Sequence, residues 1–135
     1  MHIDEIVKNL PALFCSLLAS VLFIQSGLDK IFDWKGNLGW LTSHFSKTFV
    51  AGMVVPMLAT ITLMETATGI LAAVGIIYFF VSASTVIIFY ASVLGALSIV
   101  SLFFGQRIAK DYPGAAVLVP YFILLVIMMI LTMPK

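Results

Sequence analysis

Long apolar stretches separated by short polar clusters divide the chain. Apart from Glu65, the charged residues fall near the start, between positions 29 and 47, between 107 and 111, and at the end. A helix needs about 20 apolar residues to cross roughly 30 Å of hydrocarbon. The pattern therefore predicts four transmembrane helices, over about 10–28, 55–75, 80–104 and 113–133.

The boundary between the second and third spans carries no charge. The apolar run over positions 50–104 is too long for one span, so it must hold two. Gly75 is the predicted break, followed by interfacial aromatic residues at Tyr78 and Phe79. Lipid cannot satisfy free backbone groups, so the long apolar runs predict helices rather than loops.

The polar and aromatic segment at about 36–49 separates the first two spans. Leu38, Leu41 and Phe45 recur there at helical spacing. Together with the nearby tryptophans, this spacing predicts a short interfacial helix. A plain loop with two tryptophans at the membrane boundary is the alternative. The predicted fold is an all-α membrane protein, a single domain over 1–135 with a four-transmembrane-helix bundle.

Composition supports lipid as the natural solvent. The chain has 135 residues, of which 62% are hydrophobic and 10% charged, whereas a soluble domain has about a quarter charged residues. The net charge of +1 gives no case for a nucleic-acid partner. The single cysteine, Cys15, cannot form an internal disulfide. We expect the first apolar run to be a retained helix rather than a cleaved signal peptide.

Basic residues favour one membrane orientation. The first and third connections carry five of the seven lysine and arginine residues, which are Lys30, Lys35, Lys47, Arg107 and Lys110. The positive-inside rule predicts that these connections are cytoplasmic and that both termini lie outside.

Glu65 is the most informative residue. An acidic side chain at the centre of a bilayer costs at least about 2.5–3.5 kcal/mol, so it must be protonated, paired or hydrogen-bonded. Thr62 and Gly69 share its helical face, which predicts that this face points into the bundle. Glu65 is either a proton-handling or ligand-binding acid, or a structural acid that bonds a neighbouring helix.

A polar group closes the first span. Gln25 and Asp29 stand one helical turn apart, as do Ser26 and Lys30. Lys30 could pair with Glu65 if it reaches inward or if the helices are offset, and Gln25 is the other candidate partner. The alternative for Lys30 is a lysine that snorkels to the lipid boundary.

The third connection is a second polar cluster. Its candidate contact residues are Gln106, Arg107, Lys110 and Asp111. The alternative is a solvated turn, in which Asp111 helps to cap the fourth span. We predict no metal site anywhere in the chain.

Two short motifs resemble the DoxX-like family of small four-helix bacterial membrane proteins. The sequence from Gly27 to Lys30 resembles the family's Gly-x-x-Lys, and the sequence from Glu65 to Gly69 resembles its Glu-x-x-x-Gly. The resemblance implies a multi-pass protein of the bacterial inner membrane. It also implies membrane redox or detoxification complexes, because the family takes its name from a subunit of a thiosulfate:quinone oxidoreductase.

We consider three functional hypotheses, of which the first rests on the resemblance. The first is a non-catalytic accessory subunit of a quinone-linked redox complex, with other membrane or membrane-associated subunits as partners. It has no intrinsic cofactor but binds a quinone or lipid, for which Glu65, Gln25 and Tyr90 are candidate contacts. The second is a scaffold or assembly factor, and the third is a small transporter component.

Overall fold

Six α-helices and one short 3-10 turn account for most of residues 2–135, the part of the chain that this computed structural model describes. Four of the helices are long and apolar enough to span a membrane, which confirms the predicted four-helix membrane fold. The elements are α1 (Ile3–Lys8), α2 (Leu10–Phe32), α3 (Trp34–His44), the 3-10 turn (Ala51–Met53), α4 (Val54–Ser82), α5 (Val86–Ile108) and α6 (Tyr112–Thr132).

The four long helices close a ring around one core. Going around the ring, α2 packs against α4, α4 against α5, α5 against α6, and α6 against α2. Phe23, Ile88 and Leu125 are among the apolar side chains buried at its centre. The up-and-down order puts both termini at one end. The opposite end holds α3 and the α5–α6 turn, and we call it the loop end.

The break between the second and third spans lies at residues 83–85, so the prediction of a break near Gly75 is wrong. Gly75 lies inside α4, where an added Cβ would come within 2.9 Å of the backbone nitrogen of Ile88. The glycine therefore serves close packing of α4 against α5. The helix ends instead at Ala83, which adopts a left-handed conformation with φ 60°. Phe79, predicted at the interface, is completely buried.

The first connection differs in detail from its predicted form. Helix α2 continues one turn beyond position 28, to Phe32, and so includes Lys30. The short helix predicted at about 36–49 is present as Trp34–His44. It ends early because Phe45, Val50 and Val54 turn inward and form a small apolar cluster.

The fourth span agrees with its prediction to within one residue. Asp111 caps α6 as expected, since its Oδ1 accepts a hydrogen bond of 3.0 Å from the backbone nitrogen of Gly114. Pro120 lies inside the helix. Neighbouring helices and local adjustments make such a proline tolerable in a span.

A second glycine sets the distance between α2 and α4. A Cβ added at Gly69 would lie 2.6 Å from the backbone nitrogen of Ile24 on α2. Because that neighbour is backbone, it cannot move aside cheaply. Small residues of this kind let helices approach closely in lipid, where van der Waals packing drives their association.

We predict that Gly69→Ala lowers the free energy of unfolding by about 1–3 kcal/mol, because overpacking forces α2 and α4 apart. Unfolding by titration with a denaturing detergent measures this change. Gly39→Ala is the control, since a Cβ added at Gly39 has no neighbour within 4 Å. Equal stability of the two variants would contradict a packing role for Gly69.

Candidate functional site

Helix α4 carries Glu65 into the interior of the bundle. Thr62, Glu65, Gly69 and Ala72 are all buried and recur at helical spacing, so they form one face, as predicted. Glu65 is only 1% exposed. It lies about 16 Å along α4 from Val54, at a rise of 1.5 Å per residue. The chain therefore buries a carboxyl group well inside a transmembrane helix.

Lys30 of α2 is the partner of Glu65. Its Nζ lies 3.1 Å from Glu65 Oε2, and it also donates a hydrogen bond of 2.9 Å to Ser26 Oγ. The Lys30 side chain is 18% exposed, so the ion pair has one buried member and one at the edge of the protein. The alternative of a lysine that only snorkels to the lipid boundary is wrong.

An offset between the two helices makes this pair possible. Lys30 is near the end of α2, whereas α4 begins well before Glu65 and extends past α2 at the loop end. Gly27 lies against Thr66, and Gly69 lies against Ile24. With these contacts setting the approach of the helices, Lys30 reaches Glu65.

Two polar atoms at this contact lack partners. Glu65 Oε1 and Thr66 Oγ1 are buried and have no hydrogen-bond partner among residues 2–135. Leaving a buried polar group unsatisfied costs about 1–3 kcal/mol. Buried polar atoms of this kind call for an explanation, such as a bond to a water molecule or a ligand.

The structure does not bring the other predicted residues to the ion pair. Gln25 and Asp29 are exposed on α2, so Gln25 is not the partner of Glu65. Tyr90 is 55% exposed and lies near the start of α5, towards the end of the bundle opposite the loop end. None of these three side chains makes a hydrogen bond among residues 2–135.

The third connection is tied to α3 through His44. His44 Nε2 lies 2.8 Å from Gln106 Oε1 and 3.6 Å from Asp111 Oδ2. The imidazole also stacks on Trp40, with ring centroids 4.4 Å apart. We call His44, Gln106 and Asp111 the clasp. Gln106 and Asp111 therefore make structural contacts, and the third connection is not a fully solvated turn.

The remaining two candidates of the third connection lie outside the clasp. The guanidinium of Arg107 lies 4.4 Å from the ring centroid of Tyr112, a cation–π contact. Lys110 is exposed and has a left-handed backbone with φ 59°.

A cleft of about 580 Å³ opens at the loop end. Its floor is the first half of α4, and its sides come from α3 and the end of α5. Lys30, Asn37 and Gln106 supply polar groups to its lining. Most other lining residues are apolar, namely Trp40, Leu41, Phe45, Val50, Met53, Pro56, Met57, Leu58, Ile61, Met64, Leu102, Phe104 and Ile108. One face of the ion pair thus borders an apolar cleft.

We predict that Lys30→Met lowers the free energy of unfolding by about 3 kcal/mol, because it leaves the buried Glu65 without a cation. The double variant Lys30→Met/Glu65→Leu should recover most of this loss, since it removes both charges. Lys35→Met, at an exposed position, is the control. A double variant no more stable than Lys30→Met would argue against a compensated ion pair.

We predict that His44→Ala releases α3 from the third connection without unfolding the bundle, because the imidazole contacts with Gln106, Asp111 and Trp40 are lost. Amide hydrogen exchange in α3 should become several-fold faster, while exchange in α4 stays unchanged. Thr42→Ala is the matched control, because the Thr42 hydroxyl bonds to Leu38 O in its own helix. Unchanged exchange in α3 would show that the clasp does not hold it.

Comparisons with family models, curated proteins and solved structures found no match for this chain. Among residues 2–135, no group of three His, Cys, Asp or Glu side chains could hold a metal ion. The site is therefore described by its own chemistry: a buried ion pair beside an apolar cleft in a multi-pass membrane protein.

Proposed function

We propose that this chain is a DoxX-like accessory subunit of a quinone-linked membrane redox complex and carries no redox centre of its own. The residues of the two family-like motifs support this proposal because they meet in space. Gly27 and Gly69 lie at the contact between α2 and α4, and Lys30 and Glu65 form the ion pair beside them. The residues of both motifs thus lie together at one contact between α2 and α4.

The observation that carries the proposal is the cleft that borders Lys30. Ligand sites in proteins are mostly apolar, have volumes of about 300–1,000 Å³ and contain a few convergent polar groups. The cleft at the loop end has this character, with the ammonium of Lys30, the amides of Asn37 and Gln106 and the hydroxyls of Thr60 and Ser101 among mostly apolar residues. A quinone or a lipid is the ligand that such a cleft suits in a membrane.

The cellular location is part of the proposal. A bacterial inner membrane follows from the family resemblance, and a cytoplasmic loop end follows from the basic residues of the first and third connections. Labelling of a cysteine introduced at exposed Lys110, from either side of the membrane, tests this orientation.

A scaffold or assembly factor is the second candidate, and the ion pair itself favours it. A buried charge pair can fix the register of two helices without any chemistry. In this case Lys30 and Glu65 would set how α2 and α4 fit together, and α3 would present a surface to a partner.

Glu65→Gln separates the two candidates, because glutamine keeps the size and the hydrogen bonding but removes the carboxylate. We predict that a native pull-down of this variant from membranes recovers the same partners as the wild type, while quinone-dependent activity of the complex falls at least tenfold. Asp29→Asn, at an exposed position on α2, is the control. Thermal unfolding of each purified variant checks that the bundle is intact.

Two results would count against the redox proposal. Normal activity of the Glu65→Gln complex would favour the scaffold. A stoichiometric haem, flavin or iron centre in the purified chain would contradict an accessory subunit without its own electron carrier.

A further inference from the structure

The cleft at the loop end has unused hydrogen-bond donors. Lys30 lines the cleft, and its ammonium group has three N–H bonds. Two of them are directed to Ser26 Oγ and Glu65 Oε2. The third has no acceptor among residues 2–135, so it remains available to a molecule in the cleft.

Gln106 supplies a second donor from another helix. Its Oε1 bonds to His44 Nε2, which fixes the orientation of the amide and leaves the Nε2 group without an acceptor among residues 2–135. Asn37, in contrast, uses its Nδ2 to donate to the backbone oxygens of Asp29 and Asp33. The free ammonium and amide donors of the cleft therefore come from α2 and α5, which lie on either side of α4.

Charge determines which kind of head group fits these donors. Lys30 is already neutralised by Glu65, so the pair has no net charge. An anionic head group would enter an apolar cleft beside the buried carboxyl group, and a cationic one would meet the ammonium group. The anionic group would have to share one ammonium with Glu65, and the cationic group would meet no carboxylate in the lining, so neither would be fully compensated for its lost hydration. An uncharged group with oxygen acceptors avoids both costs.

The walls of the cleft suit an apolar ring or chain attached to such a head group. Met53, Met57 and Met64 line it, and flexible thioether side chains adapt to irregular apolar shapes. Pro56 and Thr60 are lining residues that are also exposed, so the cleft opens on the outer face of α4. A hydrocarbon tail can leave the cleft there and enter the surrounding lipid.

We infer that this cleft binds the carbonyl-bearing head of an uncharged amphiphile, with Lys30 Nζ and Gln106 Nε2 as the donors to its oxygens. The shared chemistry is an apolar molecule with carbonyl acceptors at one end. It has two sources in a membrane, the ring of a quinone and the ester groups of a neutral glycerolipid. The quinone source rests on the proposed function, whereas the lipid source does not.

Tryptophan fluorescence provides a direct test. The chain has two tryptophans, both in α3, and Trp40 lines the cleft. In a Trp34→Phe background, Trp40 is the remaining tryptophan, and a bound quinone ring would quench its emission. The probe is menadione, a naphthoquinone without a tail, titrated into the purified full chain in lipid nanodiscs.

Two variants remove one donor each, and Gln106→Glu also adds a carboxylate beside His44. Gln106→Glu keeps an oxygen for His44 but loses the amide donor. Lys30→Met/Glu65→Leu removes the ammonium without leaving a lone buried charge. We expect saturable quenching that each variant weakens about tenfold, the loss typical of one hydrogen bond to a carbonyl in an apolar site. Gln25→Leu, at an exposed position on α2, should bind like the parent.

The outcomes separate the two sources and the two proposals. Saturable quenching that depends on both donors supports a quinone head. If menadione does not quench, but native mass spectrometry finds a neutral glycerolipid that both variants lose, the inference stands with a lipid ligand and the quinone-linked function fails. Quenching that neither variant changes, or neither quenching nor a retained lipid, overturns the inference. Circular dichroism and thermal unfolding confirm that each variant is folded.

Discussion

The ion pair between Lys30 and Glu65 is the constraint on which the fit of α2 against α4 depends. A carboxyl group inside a membrane is costly, and the bilayer offers it no water. The protein meets this cost with an ammonium group at 3.1 Å from a neighbouring helix. That solution requires α2 to end near the level of Glu65 and α4 to extend past it, so the loop end acquires an uneven shape. The first connection, α3 and the cleft all occupy the space that this offset creates.

Close contact between α2 and α4 allows Lys30 Nζ to approach Glu65 Oε2 to 3.1 Å. Glycines on both sides of the α2–α4 contact remove the side chains that would hold the two backbones apart. The same physical use of glycine explains the contact of Gly75 with Ile88 between α4 and α5. A small residue in a transmembrane helix can therefore mark either a break in the helix or a packing surface. Local sequence does not distinguish these two roles. In this chain Gly27, Gly69 and Gly75 all lie on packing surfaces.

The lengths of the apolar runs predict the number and class of the spans, and the isolated charge of Glu65 predicts its burial, because both follow from the cost of polar groups in lipid. The turn after α4 escaped prediction since it carries neither charge nor glycine, and Ala83 simply adopts a left-handed conformation. The sequence gives little sign of the role of His44, because its hydrogen-bond partner Gln106 lies 62 residues away along the chain. Its position one turn after Trp40 was a weak signal of a stacked aromatic contact. The prediction that Tyr90 and Glu65 contact one ligand rests on their chemistry alone, because the sequence gives no measure of the distance between them.

The two ends of the bundle differ in a way that bears on function. The terminal end joins α4 to α5 through three residues, whereas the loop end holds the ion pair, the cleft and the clasp. Gln106 belongs to both the clasp and the cleft lining, so the clasp orients an amide that a ligand would contact. Trp40 stacks on His44 and also lines the cleft. A molecule in the cleft would therefore contact the same side chains that hold α3 against the bundle. Since α3 has no buried residue of its own, a molecule in the cleft would directly affect how firmly α3 is held against the bundle.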